Sequence, residues 1–366
     1  MRALSEARRV VVKIGSSSLT RPDGGLDLNR IDAVARVVAR WRRGGRQAVI
    51  VSSGAVAAGL DPLGFAFKPS DLASVQAAAA MGQGLLVARW TAAFHTHHVD
   101  AAQVLLTTED VMARDHYTNA TAALGRLLSL GVVPIVNEND AVTTRELRFG
   151  DNDRVAAIIA QMVQADALVL LTDVDGLYTA PPSRPGARLI ERVDSTDDLM
   201  SVLVTGAGSK VGTGGMASKV QAATMASASG IGVLLANADK VEEALSGKGT
   251  GTWFAPTHER PASRRLWIAH AAPSRGELVV DAGAARAITV GKKSLLAAGV
   301  VSVAGHFDAG DVVDIVSPTG LVARGIVSYD ADSLAAIAGR SAPELEGTGW
   351  EHVRPVVHRD DLAPLL

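Results

Sequence analysis

Short apolar runs alternate with helical patterns through the first two thirds of this 366-residue chain. Residues 10–14 form a β-branched run, and residues 29–43 place apolar side chains at the spacing of one helix face. Because a second strand-like run at 48–51 follows, the pattern predicts a parallel sheet with helices on its faces. Later segments repeat the alternation, with predicted strands at 101–106, 132–136, 167–171 and 231–236 and predicted helices at 71–91, 119–130, 154–164 and 219–229.

The composition fits such a layered fold. Hydrophobic residues make up 48% of the chain and aromatic residues only 4%, so the core must be built from Ala, Val, Leu and Ile. The net charge of −2 argues against bulk attraction to nucleic acid or an anionic membrane. The absence of cysteine excludes disulfides and thiol catalysis, and it fits a reducing compartment. No apolar run is typical of a signal peptide or a membrane span, so we expect a cytoplasmic protein.

Polar clusters follow four of the predicted strands at the point where each strand ends. The clusters are 13–16, 52–54, 137–140 and 172–173. In α/β sheets, ligands bind beyond the carboxyl ends of the strands. One such cluster would be an ordinary turn, but four at equivalent positions predict an enzyme site.

Lys13 stands inside the first apolar strand. A lysine in that position either pairs with an anion or extends its ammonium group to water at a frayed strand end. Both interpretations are open, although the neighbouring glycine and three serines favour an anion site. A group of histidines at 95, 97 and 98 has metal-like spacing, but its segment is typical of a solvated helix end.

Two further polar segments precede helical runs, and each has two interpretations. Residues 52–54 are either a helix N-cap or a helix N-terminus that holds a substrate carboxylate. Asp151 and Asp153 are either structural caps or the partners of a lysine or Mg²⁺. Asn152, between them, is a candidate ligand of a substrate amine or carboxylate.

The glycine-rich segment GTGGMASK at 212–219 is typical of a phosphate site. Its glycines allow close approach of backbone N–H groups, and Lys219 adds a positive charge in the first turn of the following helix. The segment also satisfies the dinucleotide pattern G-x-G-x-x-A, and Asp239 follows about 20 residues later, as that pattern requires. A dinucleotide turn normally opens its domain, however, whereas this segment comes late in the chain.

The pattern changes after a connector at 255–265 that is rich in proline and charged residues. Beyond Gly276 the predicted strands are short and separated by glycine, which is typical of a small β-rich domain. We therefore divide the chain into a domain at 1–258, a linker at 259–275, a β-rich domain at 276–354 and a tail at 355–366. The β-rich domain holds 6 Lys and Arg against 10 Asp and Glu, a net charge of −4. We expect it to have a structural or regulatory role and not to bind RNA.

Six segments, in this order and spacing, resemble the motifs of the amino acid kinase family: KIGSS, VSSGAVAAG, NEND, FGDND, LTDVDGLYT and GTGGMASK. The β-rich part and the final HRDD at 358–361 resemble the PUA domain, which one group of enzymes within this kinase family carries. The resemblance covers nearly the whole chain. It departs from the family pattern at Ser218, where threonine is usual, and at Pro181, where aspartate is usual.

The resemblance implies a three-layer αβα sandwich with a mainly parallel sheet, followed by a small PUA-like barrel. It implies a kinase that uses ATP and Mg²⁺. Related kinases act on glutamate, aspartate, acetylglutamate, carbamate or UMP, and the PUA-like domain favours the γ-carboxylate of L-glutamate. The product would be L-glutamyl 5-phosphate, in the first step of proline biosynthesis. The resemblance further implies inhibition by proline and assembly into a homo-oligomer, a dimer or a tetramer.

The resemblance also gives roles to individual residues. Lys13 and Lys219 would flank the γ-phosphate as it transfers, and Asp153 would hold both lysines in place. The glutamate-binding residues would be Ser53, Asp140 and Asn152. The ATP-binding residues would be Lys13, Thr172, Asp173, Thr213, Gly214, Gly215, Met216, Ala217, Ser218 and Lys219. The resemblance assigns no particular side chain as a ligand of Mg²⁺.

Overall fold

The computed structural model describes residues 2–21, 25–143, 152–194, 215–256, 265, 267–345 and 354–365. The chain divides into two units, Met1–Val111 with Asp115–Arg260, and Met112–Arg114 with Pro261–Leu366. The first unit contains the alternating strands and helices, and the second contains the glycine-separated strands.

Eight of the described strands form one sheet in the first unit. They are β1 (Arg9–Ile14), β2 (Gln47–Ser52), β3 (Ala101–Leu106), β4 (Val133–Glu138), β5 (Ala167–Thr172), β6 (Arg192–Val193), β7 (Gly232–Asn237) and β8 (Thr252–Phe254). Their order is β3-β4-β2-β1-β5-β7-β8-β6, and all neighbours are parallel except β7 and β8. The prediction of a mainly parallel sheet is confirmed. The sequence pattern does not predict β6 and β8, because runs of two or three residues carry too little periodicity.

Helices cover both faces of this sheet. They are α1 (Arg2–Ser5), α2 (Ser16–Leu19), α3 (Leu28–Trp41), α4 (Ala55–Leu60), α5 (Leu72–His95), α6 (Thr108–Met112), α7 (Arg114–Ser129), α8 (Asn152–Met162), α9 (Met216–Ala228) and α10 (Val241–Ser246). Along β1, Val10, Val12 and Ile14 join one core with α3, α5 and α10, whereas Lys13 faces α8. The three layers that the resemblance implies are therefore present. No helix among the described residues has the length and apolar character of a membrane span.

Helices α4 and α5 approach each other closely at two glycines. A Cβ atom on Gly59 would lie 1.9 Å from the carbonyl oxygen of Ala78, and one on Gly82 would lie 1.8 Å from that of Ala55. Only glycine fits at either position without movement of the backbone. The contact holds the start of α4, and with it the loop at 52–54, against the middle of α5.

The second unit is built on a separate five-stranded sheet with the order β10-β9-β11-β12-β13. Its strands are β9 (Gly276–Val280), β10 (Val300–Gly305), β11 (Val312–Ser317), β12 (Gly320–Val327) and β13 (Val357–Pro364). Its helices are the π-helix Trp267–Ala271 and the α-helices α11 (Ala282–Thr289), α12 (Ala331–Ile337) and α13 (Ala342–Leu345). The prediction of a small β-rich domain after the kinase-like part is confirmed.

The end of the chain differs from the tail predicted at 355–366. Most of that segment is β13, which pairs antiparallel with β12. Val357, Leu362 and Ala363 are buried in this unit, so the segment is part of the core. This strand was not predicted because the charged stretch at 358–361 separates its buried residues, Val357 on one side and Leu362 and Ala363 on the other.

We expect Gly82→Ala to destabilise the first unit, because the new methyl group would overlap the Ala55 carbonyl and force α4 and α5 apart. Overpacked cores lose about 1–3 kcal/mol, which would appear as a lower midpoint of urea unfolding. The matched control is Gly84→Ala on the same helix, where the Cβ would enter open space. That variant should raise the midpoint, since alanine favours a helix interior by about 1 kcal/mol over glycine. Equal midpoints for the two variants would contradict the close helix contact.

Candidate active site

The predicted polar clusters meet at one edge of the sheet. The parallel strands β1, β2, β4 and β5 end at residues 14, 52, 138 and 172, so the residues that follow them share the carboxyl-terminal edge. The N-terminal ends of α8 and α9 lie at the same edge, because Asp153 of α8 pairs with Lys13 of β1 and with Lys219 of α9. Six separate parts of the sequence therefore meet at one edge of the sheet.

Asp153 is buried between two lysines. Its carboxylate forms ion pairs with Lys13 Nζ through Oδ1 and with Lys219 Nζ through Oδ2, the second at 3.2 Å. Asp153 and Lys13 are 0% and 2% exposed, and Lys219 is 12% exposed. Ser218 Oγ lies 3.3 Å from Asp153 Oδ2 and 2.8 Å from the Gly215 carbonyl oxygen, and its one proton can be donated to either. Because two ammonium groups share one carboxylate, these three charged groups carry one net positive charge, which suits them to hold an anion.

The burial of Lys13 decides between its two interpretations. The side chain does not extend to water, since it is almost fully buried and paired with Asp153. An uncompensated ammonium group inside a protein costs several kcal/mol, so β1 accommodates Lys13 because α8 presents a carboxylate to it. Gly15 leaves room beside the charge, since a Cβ atom there would lie 3.6 Å from Lys13 Nζ.

Asn152, the first residue of α8, joins a chain of side-chain amides. Its Nδ2 donates to Ser53 Oγ at 2.7 Å and to Asn137 Oδ1 at 3.2 Å. Asn137 Nδ2 in turn donates to Gln83 Oε1 at 2.7 Å. The chain brings together Ser53 and Asn152, two of the predicted glutamate-binding residues, although 99 positions separate them in sequence.

The serines at 52–53 do not cap α4 with their side chains. The N-cap is Gly54, whose φ of 102° is in the left-handed region that favours glycine. Ser52 Oγ accepts a hydrogen bond from Trp90 Nε1 at 3.0 Å, and Ser53 Oγ accepts one from Asn152. The capping interpretation is therefore wrong for both hydroxyl groups, and the ligand-binding interpretation of Ser53 stays a prediction.

Asp140, the third predicted glutamate-binding residue, lines a cleft of about 250 Å³. The walls come from α4, α5, β3 and the segment after β4, and their polar groups include Gln83, Glu138 and Asn139. Because Gln83 belongs both to this lining and to the amide chain, the cleft adjoins the Ser53–Asn152 contact. A cleft of this size and polarity can hold a small polar molecule such as an amino acid.

On the other side of β1, Thr172 and Asp173 stand at the end of β5. Thr172 Oγ1 donates to Asp173 Oδ1 at 2.9 Å. Asn237, which is opposite Thr172 in the register of β5 and β7, donates to the Asp173 carbonyl at 3.3 Å. The ends of these two strands are thus joined by side chains at the edge where the lysines lie.

Helix α9 brings the described part of the glycine-rich segment to the site. Gly215 is its N-cap and provides no side-chain cap, and residues 216–219 form its first turn. The N-terminal end of a helix and the ammonium group of Lys219 together favour an anion at this position. Thr213 and Gly214, which are also predicted to bind ATP, lie outside the described residues.

Three residues of the site were not predicted from the sequence: no pattern singled out Gln83 or Asn237, and no role was predicted for Asn137. Asn237 had a usable signal, because it ends a strand beside Thr172 at the edge where the other polar clusters lie. Gln83 had only a weak signal, a polar side chain in an alanine-rich helix. The histidines at 95–98 are at the end of α5. Within the described ranges, no group of three or more His, Cys, Asp or Glu side chains could hold a metal ion.

Two lysines flank one carboxylate at the carboxyl end of a parallel sheet. Such a pair of positive charges is suited to bind a phosphoryl group, so the site indicates a kinase. Residues 8–237 match the model of the amino acid kinase family, and residues 276–347 match that of the PUA domain. The chain belongs to the amino acid kinase family, so the resemblance of its six motifs is confirmed. Family membership favours the phosphate interpretation of the glycine-rich segment over the dinucleotide one, and its role in binding ATP stays a prediction.

Curated relatives match along almost the whole chain. Glutamate 5-kinase from Salinispora arenicola (strain CNS-205) is 54% identical over 365 residues, which cover 99% of both chains. Glutamate 5-kinase from Streptomyces coelicolor is 52% identical over 366 residues, or 99% of this chain and 98% of that one. Carbamate kinase from Giardia lamblia, solved with AMP-PNP, has a TM-score of 0.53 and 17% identity. It covers 69% of this chain and 99% of its own, and it shows the fold alone.

We expect Asp153→Asn to lower the stability of the protein markedly. The substitution leaves the buried Lys13 without a counter-charge, and breaking a buried pair in this way costs about 3–5 kcal/mol. The matched control is Asp239→Asn, which removes a carboxylate that pairs with Arg30 but is 71% exposed. Urea unfolding should show a large fall in midpoint for the first variant and little change for the second. Similar midpoints would mean that the buried charge is compensated by another group.

Proposed function

We propose that this chain transfers the γ-phosphoryl group of MgATP to the γ-carboxylate of L-glutamate. The products are ADP and L-glutamyl 5-phosphate, and the reaction is the first step of proline biosynthesis. The observation that carries the proposal is the buried Asp153 between Lys13 and Lys219 at the carboxyl edge of the sheet. The names of the full-length relatives support glutamate as the acceptor.

The acceptor needs no general base. A γ-carboxylate has a pKa near 4.3 in model peptides, so it is ionised at neutral pH and can attack phosphorus directly. Its oxygen forms the new bond to the γ-phosphorus while the bond to the β–γ bridging oxygen breaks and ADP leaves. No covalent enzyme intermediate is required.

The difficulty of the reaction is electrostatic. Two unit negative charges 4 Å apart repel by about 4 kcal/mol at an effective dielectric constant of 20. Lys13 approaches the reacting groups from β1 and Lys219 from α9, so each side of the transferring phosphoryl group has a positive charge. These charges stabilise the transition state, in which negative charge spreads over the phosphoryl oxygens. Asp153 holds both ammonium groups in position and keeps their mutual repulsion low.

The glutamate would bind on the side of β2 and β4. Ser53 and Asn152 form one polar wall, and Asp140 lies in the adjoining cleft, where its carboxylate suits the substrate ammonium group. ATP would bind on the side of β5 and β7, at Thr172 and Asp173. Residues 213–219 would complete this half of the site, and Mg²⁺ would enter with the nucleotide phosphates.

Three further properties stay predictions: inhibition by proline, assembly into a dimer or tetramer, and a cytoplasmic location. The domain boundaries at 258, 275 and 354 are also proposals, with the qualification that β13 extends the second sheet to Pro364. We propose a structural or regulatory role for the PUA domain, because its net charge of −4 opposes phosphate-driven binding of RNA.

We expect Lys13→Ala and Lys219→Ala each to lower kcat by about 10³, the scale of effect for a cationic group that stabilises a transferring phosphoryl group. ATP-dependent formation of glutamyl hydroxamate measures the rate. Lys248→Ala is the matched control, because it removes an exposed lysine of the same unit and should leave kcat unchanged. A folded Lys13→Ala protein with near-normal turnover would overturn the mechanism.

A panel of acceptors tests the substrate. Hydroxamate formation would be measured with L-glutamate, L-aspartate and N-acetylglutamate, and ADP release with carbamate. We expect kcat/KM for glutamate to exceed the others by about 100-fold or more, because the polar groups of the site are left unpaired by a poorly matched acceptor. Faster turnover of another acceptor would refute glutamate as the substrate while leaving the chain a kinase.

A further inference from the structure

Three elements bring the charged groups of the site together, and two further contacts join the same elements at their opposite ends. Lys13 is on β1, Asp153 on α8 and Lys219 on α9. At the far end of α8, the Arg9 side chain of β1 donates to the Val163 carbonyl. This contact fixes α8 to the strand that carries Lys13.

The second far contact joins α8 to α9. Gln161 Nε2 donates to Ser229 Oγ at 2.9 Å, and each residue is 1% exposed. Ser229 Oγ in turn donates to the Met225 carbonyl of α9 at 2.9 Å. Gln161 is eight positions after Asp153, so the contact lies about 12 Å from the charged groups along α8.

A polar side chain is not needed to bury this end of α8. The other buried residues of α8 beyond Asp153 are apolar, and an apolar side chain of similar size would avoid the desolvation of an amide. A well-packed apolar replacement of a buried polar pair is often neutral or stabilising. The contact is therefore better explained by the geometry that it imposes than by the stability that it adds.

The buried face of α9 provides few features that fix its position on α8. Its buried side chains are small, at Val220, Ala222, Ala223, Ala226 and Ser227. Small side chains let two helices approach closely, but they interlock weakly, so small tilts and slides cost little. Directional hydrogen bonds at the two ends of the helix pair would fix both the tilt and the sliding position of α9 on α8.

A small tilt of α9 has a large effect at Lys219. The helix continues into β7 after its C-terminal end, with β7 beginning at Gly232, so this end acts as a pivot. Lys219 is ten positions before Ser229, about 15 Å away along the helix. A tilt of about 5° at the pivot would move Lys219 by about 1.3 Å over that length. A displacement of about 1 Å at reacting groups can lower a rate by about 10².

We propose that Gln161 and Ser229 are positioning residues for phosphoryl transfer: their buried hydrogen bond sets the tilt and register of α9 on α8, and so places Lys219 against Asp153. The inference rests on the proposed function, because it needs Lys219 to act on the transferring group. Both residues lie at the far ends of their helices, about 12–15 Å along the helix axes from Asp153 and Lys219.

The test compares Gln161→Met and Ser229→Ala with the full-length wild-type protein. We expect each variant to lower kcat by about tenfold, a part of the loss for a 1 Å displacement, while KM for glutamate stays within twofold. The midpoint of urea unfolding should change little for Gln161→Met, because methionine fills a similar apolar volume. The double variant should be no slower than the slower single variant, since both remove the same contact.

Thr224→Val is the matched control. Thr224 is also on α9, but its hydroxyl donates to Val220 of the same helix, so its loss should leave kcat unchanged. The inference is overturned if a folded Gln161→Met or Ser229→Ala protein keeps wild-type kcat, if the control is equally slow, or if the two losses multiply in the double variant. Absence of glutamate phosphorylation by the wild-type protein would instead refute the proposed function.

Discussion

The site depends on one carboxylate that two lysines share. Asp153 is fully buried, and it compensates Lys13 in the middle of the sheet and Lys219 at the start of α9. Without it, the central strand would lose the carboxylate that pairs with a buried ammonium group, and two ammonium groups would repel each other. The same ion pairs therefore help the sheet to fold around Lys13 and leave a net positive charge at the candidate site.

The sheet order divides the candidate site into two halves. Strand β1 is central, with β2 and β4 on one side and β5 and β7 on the other. Ser53, Asn152 and the cleft with Asp140 belong to the first side, and Thr172 with Asp173 belongs to the second. Strand β1, with Lys13, stands between these halves. Under the proposed function, an acceptor carboxylate and a nucleotide phosphate would approach from opposite sides of it. Close contacts between helices support each half, including the glycine contact of α4 with α5 and the Gln161–Ser229 hydrogen bond that joins α8 to α9.

Much of the fold followed from sequence periodicity, and the errors have physical causes. The strand predicted at 101–106 coincides with β3, and the other long strands differ by one or two residues at their ends. The short strands β6 and β8 were missed because they pair only in the context of β7. Strand β13 was taken for a tail because a polar stretch separates its buried residues. The capping role considered for Ser53 was wrong because its hydroxyl group bonds to a helix that begins 99 positions later.

The sequence by itself determined the alternation of strands and helices, the family, and the residues at the carboxyl ends of the strands that form the candidate site. These follow from local spacing and from motifs that can be read in order. Only the tertiary structure decided that Lys13 is buried and that Asp153 pairs with both lysines. It also decided that the amides of Gln83, Asn137 and Asn152 form one hydrogen-bonded chain, which ends at the hydroxyl group of Ser53. Such contacts join residues that are between 15 and 140 positions apart in the sequence. Their geometry is set by the packing of several elements against one sheet, which no local pattern encodes.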